Sequence, residues 1–184
     1  MTVWWLTINR AMGNSYLGLK HRKVIAQGWP QLGDLSILAS NFDSYWRDHR
    51  HDFENVIQHL ARPVYPGDAA KPPAALLNLY NLMTIAKGDF LVAVESAQGA
   101  GTVMGICQAD RNAWESYRPD DPNVYDYAHS VCFPVEWVDW DATIVVPPNP
   151  PAMIAGVQLM GTEQAAQIEN SWRKLISKVK RQFG

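Results

Sequence analysis

The 184-residue sequence predicts an α+β fold: a small twisted β-barrel flanked by helices, with a C-terminal helical appendage. Three observations predict it. Strand-type runs open the chain and return over residues 90–109 and 125–137, while two helical patterns are inserted between the second and third strands. A proline-dense stretch, VVPPNPP, then separates residues 1–146 from a helical segment over 147–184. An alternating βαβ parallel sheet fits this order less well.

Taken in order, residues 3–8 form a compact β-type run with Trp4 and Trp5, ending in Asn9, Arg10 and a Gly13–Asn14 turn signal. Residues 22–27 make a second strand. Between 41 and 60, Phe42, Tyr45, Trp46, Phe53, Val56, Ile57 and Leu60 recur near helical spacing, with Ser40 or Asn41 as N-cap and Pro63 as breaker. The loop PGDAAKPP hands over to a largely buried helix, residues 74–86, which Lys87-Gly88-Asp89 stops. Residues 90–95 and 102–109 flank the turn Gln98-Gly99-Ala100-Gly101 as a hairpin. After a polar stretch, residues 125–137 read as one long strand, with Pro134 favouring an edge or bulge. Beyond the prolines, residues 152–160 read as a short apolar helix. A longer amphipathic helix starts at Thr162 and carries Ile168, Trp172, Leu175, Ile176 and Val179 on one stripe.

Composition narrows the function classes. A net charge of −2 and a pI near 6.2 leave no global positive field for nucleic acid, so such a role needs a local patch. Lys20, Arg22 and Lys23, beside His21, form one patch and are the candidate phosphate contacts. Arg173, Lys174, Lys178, Lys180 and Arg181 form another, which reads first as a solvated helix face. The two cysteines, Cys107 and Cys132, sit in apolar runs and suggest buried thiols in a reducing compartment. No apolar run reaches the roughly 18 residues that span a bilayer, and residues 1–5 lack a signal-peptide n-region, so a cytoplasmic protein is expected.

Catalytic motifs are not seen: there is no GxSxG, no P-loop, and no GxGxxG between a strand and a helix. A non-enzymatic protein without cofactor is the expectation. His49, His51 and His59 offer no i, i+4 pair, so no metal site is expected.

Trp29 with Pro30 carries the sharpest signal for base binding. A large aromatic between Gly28 and Pro30, directly after a strand, is held in a loop rather than on a regular core face. Holding a flipped base requires flat apolar surfaces on both of its faces and hydrogen-bonding groups at its edge. Trp29 can supply one face; plugging the barrel end is the structural alternative. Trp114, Tyr117, Tyr125 and Tyr127 are candidates for the other, and His129, in phase with Tyr127, could meet the base or satisfy a buried carbonyl. Asn9, Arg10 and Asn14 lie in the loop after the first strand, where an Asn offers a donor and an acceptor together. Asp34 could accept from a ligand or serve as a local cap.

The run HRKVIAQGWPQLGDLS, then a helix ending in KGD, a VMGI strand and a final YAH…VEW strand, resembles the EVE/YTH-like branch of the PUA superfamily. In particular it resembles the domain attached to McrB-type modification-dependent restriction systems. The resemblance covers about residues 3–140 and implies a PUA-like barrel that holds a modified nucleobase in an aromatic pocket. It matches Trp29 to the cage tryptophan and the loop bearing Asn9 to the segment that reads the base edge. After His129 come Ser130 and Val131, where related sequences often carry a basic residue, which weakens the expected phosphate contact.

The leading expectation is a non-catalytic reader of a modified base, methylated DNA ahead of RNA, serving a restriction or defence system. Cutting would belong to an effector nuclease or motor protein, and the reader itself would be a monomer or weak homodimer. The alternative is a small-molecule or nucleotide-sensing module, or a protein-interaction module, using the same pocket.

Overall fold

The computed structural model describes residues 1–9, 15–64, 74–97, 100–119, 128–140, 156–163, 165–170 and 173–174. Its architecture is α+β, but the described strands form two separate sheets rather than a closed barrel. The larger sheet has five strands in the order β7-β4-β3-β1-β8: β1 Val3–Asn9, β3 Phe90–Ala97, β4 Ala100–Gln108, β7 Trp137–Asp139 and β8 Gly156–Leu159. β1 and β3 run parallel, and the other pairs are antiparallel. The smaller sheet is antiparallel, in the order β2-β6-β5, from Ile25–Gln27, His129–Val131 and Arg118–Pro119.

The period-2 alternation of β1 divides its side chains between two cores. Trp4, Leu6 and Ile8 enter the main core, whereas Val3 and Trp5 enter a smaller one on the opposite face. The main core is closed by α1 Tyr16–Arg22, α2 Ser36–Ser40, α3 Arg50–Ala61, α4 Ala74–Thr84 and the smaller sheet. The other face receives Met160 and Ile168, the latter from the helical residues 165–170. Trp172, Leu175, Ile176 and Val179 lie outside the described residues.

The β3–β4 hairpin forms around the turn that residues 98–101 were expected to make. Four expectations are corrected. First, the strand expected from residue 22 begins only at Ile25, because Tyr16–Arg22 is helical: the Ser15 hydroxyl caps its start by accepting from the Gly18 N–H (3.1 Å), and left-handed Lys23 closes its end. Second, the helix expected over 41–60 is divided into a π-helical turn, Phe42–Trp46, and α3. In one continuous helix residues 42 and 53 would lie about 16 Å apart along the axis; the break between the two segments lets Phe42 and Phe53 meet, edge to face at 5.9 Å. Third, the strand expected over 125–137 is interrupted after β6, where Cys132 takes a left-handed φ of 53°. Fourth, the helix expected over 152–160 contains strand β8, with Val157 buried and Leu159 exposed, paired on the edge of β1. A short apolar run does not distinguish these by periodicity alone. β8 lies beyond residue 146 and is nonetheless part of the main sheet.

Candidate functional site

β2 delivers the chain to Trp29, whose backbone is left-handed at φ 76° and ψ 49°. For a bulky residue that conformation costs on the order of 1–3 kcal/mol and persists only where its surroundings impose it. The Trp29 carbonyl receives two donors: the Leu32 N–H at 3.1 Å, closing the 3-10 turn Pro30–Leu32, and Nε2 of His129 at 3.2 Å. Pro30 suits the first position of that turn because its φ is already fixed.

His129 is fully buried on β6, and its Nδ1 lies 2.8 Å from the Tyr117 hydroxyl, with the two rings stacked at 6.0 Å. A carbonyl can only accept, so Nε2 carries the proton, and in the neutral ring Nδ1 then accepts from the Tyr117 O–H. The Tyr117 oxygen in turn accepts from the Leu35 N–H at 3.2 Å. The relay therefore runs from Leu35 through Tyr117 and His129 to Trp29, with each donor matched to an acceptor. Burial holds the Tyr117 phenol well above its ordinary pKa, which keeps the relay proton in place. Tyr117→Phe would strand both the Leu35 N–H and His129 Nδ1, and a loss of about 2 kcal/mol is expected in denaturant unfolding.

Beside this relay an open depression of ≈ 330 Å³ is lined by Ser36, Ala39 and Ser40 of α2 with Trp114, Glu115 and Tyr117. That volume lies at the lower end of the range for ligand sites, about 300–1,000 Å³. Two of the expected aromatics, Trp114 and Tyr117, thus share one cavity, while Trp29 joins it through His129 and is not in its lining. The Trp114 ring is also occupied by the protein: Phe42 stacks on it at 6.1 Å and the Arg47 guanidinium sits 4.4 Å from its centroid.

Asp34 is a local cap. Its Oδ1 accepts from the Ser36 N–H at 2.7 Å, and hydrogen bonding from Ser36 holds its carboxyl below the usual carboxylate range. Among the expected phosphate contacts, Lys20 pairs with Asp139 at 2.7 Å and Lys23 with Glu136, while Arg22 lies in the last turn of α1. The ion pair with Lys20 and the hydrogen bond from Tyr16 lower the Asp139 pKa, so its contribution is present above the ordinary carboxylate value and is lost as pH falls through the folded one. Asn9 ends β1 opposite Ser96. Arg10, Asn14, Tyr125 and Tyr127 lie outside the described residues.

Three site residues escaped the sequence reading. Arg118 on β5 is exposed, with its guanidinium 4.5 Å over Phe133. Arg47 covers Trp114. Gln27, opposite His129 in the ladder, is buried with neither amide atom partnered. Its signal in the sequence is a polar residue closing the apolar run VIA two positions before Trp29.

The cysteine thiols are both buried, and burial pushes that of Cys132 up to about 12. Among the described residues no group of three His, Cys, Asp or Glu could hold a metal ion, and no helix is long and apolar enough to cross a membrane. No protein-family model, no curated protein and no solved structure matches this chain.

Proposed function

We propose that this protein is a non-catalytic reader of a modified nucleobase, in DNA ahead of RNA, with Trp29 as the wall against which the flipped base stacks. The observation that carries the reading is the strained Trp29 backbone, held by the Leu32 N–H and by the His129–Tyr117–Leu35 relay. Strain at a half-buried aromatic, maintained by buried polar groups from three other segments, fits a preorganised ligand surface better than a plug. On this reading the domain is a divergent PUA-like, EVE/YTH-like module serving a modification-dependent defence system, and the effector that cuts is a separate protein.

The test is binding to fluorescent oligonucleotides, unmodified and carrying methylated or hydroxymethylated bases, in single and double strands, at two salt concentrations. Selective binding to one modification is expected. Trp29→Ala should weaken it by about tenfold to a hundredfold, in line with the roughly 1–3 kcal/mol that stacking one base on an aromatic contributes. Unchanged binding by Trp29→Ala would overturn the assignment of Trp29.

One observation favours a second reading. Lys20 and Lys23 are already paired with Asp139 and Glu136, so a phosphate would have to compete with carboxylates there. That suits a pocket for a free nucleotide or other metabolite. A duplex reader should lose affinity with salt at a log–log slope of roughly 0.9 per phosphate contacted, and a metabolite pocket should show almost no slope.

A further inference from the structure

Gln27 is 5% exposed, and neither Oε1 nor Nε2 has a hydrogen-bond partner. Among the described residues it is the one side chain with two polar atoms left in this condition. A buried carboxamide without partners is unfavourable in the folded protein, and such groups call for an explanation beyond packing. Its position supplies one. Gln27 is the cross-strand neighbour of His129, so both side chains project from the same face of the smaller sheet, and Trp29 follows two residues later.

We infer that the Gln27 carboxamide is the specificity-determining group of the Trp29 site, reading a planar ligand that presents a hydrogen-bond donor beside an acceptor. The inference rests on the base-reading proposal and adds the edge chemistry that site selects. A carboxamide offers one N–H donor side and one carbonyl acceptor side in a plane, and a nucleobase edge with an amino group beside a ring nitrogen, or an imide N–H beside a carbonyl, matches it in two hydrogen bonds. Substitution on the edge itself, such as a methyl on the ring nitrogen, removes that match. Substitution elsewhere on the ring leaves it intact.

The experiment compares wild-type protein, Gln27→Met and Trp29→Ala by thermal unfolding and by binding to oligonucleotides. The probes carry each natural base, the same base methylated on carbon, and the same base methylated on the ring nitrogen of its pairing edge. The expected result has two parts. Gln27→Met should unfold at the wild-type temperature or above, because no hydrogen bond of the folded protein is lost. It should also lose affinity for the preferred base by about tenfold or more, as loss of a bidentate contact implies, and edge methylation should reduce wild-type binding comparably. Weaker thermal stability in Gln27→Met would mean that the carboxamide is bonded within the fold and would overturn the inference. Binding abolished by Trp29→Ala but kept by Gln27→Met would overturn the inference and leave the base-reading proposal standing. A wild-type protein that binds none of the oligonucleotides would overturn both.

Discussion

Asp89→Ala is expected to destabilise the protein by about 4 kcal/mol, close to the whole stability of a marginal domain. Asp89 is buried at the junction of α4 and β3, and its carboxylate accepts three N–H groups: Thr2 at 2.7 Å, the Trp4 indole at 3.1 Å and Ala86 at 3.1 Å. Those donors come from the start of β1, the main core and the end of α4. An alanine leaves all three without this acceptor, the Trp4 indole N–H in the buried core and the Thr2 and Ala86 N–H groups at part-buried positions. Each stranded donor costs roughly 1–3 kcal/mol, and shared relaxation keeps the sum below three times that. Asp89→Asn is the informative companion, because it keeps the shape and one acceptor but turns an NH2 toward donors. It should cost about half as much. Chemical denaturation of the three proteins, with equal m-values, would check the ranking; an Asp89→Ala midpoint equal to wild type would show that the carboxylate is dispensable.

The same residue shows what was legible in the sequence. Lys87-Gly88-Asp89 reads as a helix stop, and the structure makes it one, with Gly88 at φ 91°. That its aspartate reaches back 85 residues to Trp4 is tertiary information. The β3–β4 hairpin was legible from two apolar runs flanking a glycine-bearing turn, and the core face of α3 because period 3.6 is imposed by burial on one side. Helix α1 was not: YLGLKHR is short, contains a glycine and depends on the Ser15 cap. Barrel closure failed as an expectation for a physical reason, since β8 pairs with the exposed edge of β1 and short apolar runs do not announce their partners. At the site the sequence reading named Trp29, Tyr117 and His129, which the structure joins by hydrogen bonds, and a local cap for Asp34. It did not supply the relay, because the hydrogen bond from His129 to Trp29 spans 100 residues. Nor did it show that Gln27 lacks a partner, which is a property of everything packed around it.

Gly105→Ala should destabilise by about 3 kcal/mol, lowering the melting temperature by about 6–12 °C for a chain of this size. A Cβ at residue 105 would lie 2.2 Å from the Tyr16 hydroxyl oxygen and 2.4 Å from Cζ, well inside contact distance. Gly105 faces Ala93 across the β3–β4 ladder, next to the register shift between Ala93 and Val94. The two small residues make a floor on which the Tyr16 ring lies, edge-on to Trp137 at 5.8 Å, with its hydroxyl donating to Asp139 at 2.9 Å. Neither the ring nor the strand can yield cheaply. Tyr16 is 2% exposed, its N–H donates to Glu95 at 2.6 Å, and Gly105 is paired on both sides, with Ala93 and Asp139. A double-mutant cycle isolates the cause. In a Tyr16→Ala background the ring is gone, so Gly105→Ala should cost under about 1 kcal/mol, giving a coupling of roughly 2 kcal/mol. Equal costs in both backgrounds would place the glycine requirement in the strand backbone instead. The aromatic clasp on α1 would then be a passenger on the sheet rather than the reason for the glycine.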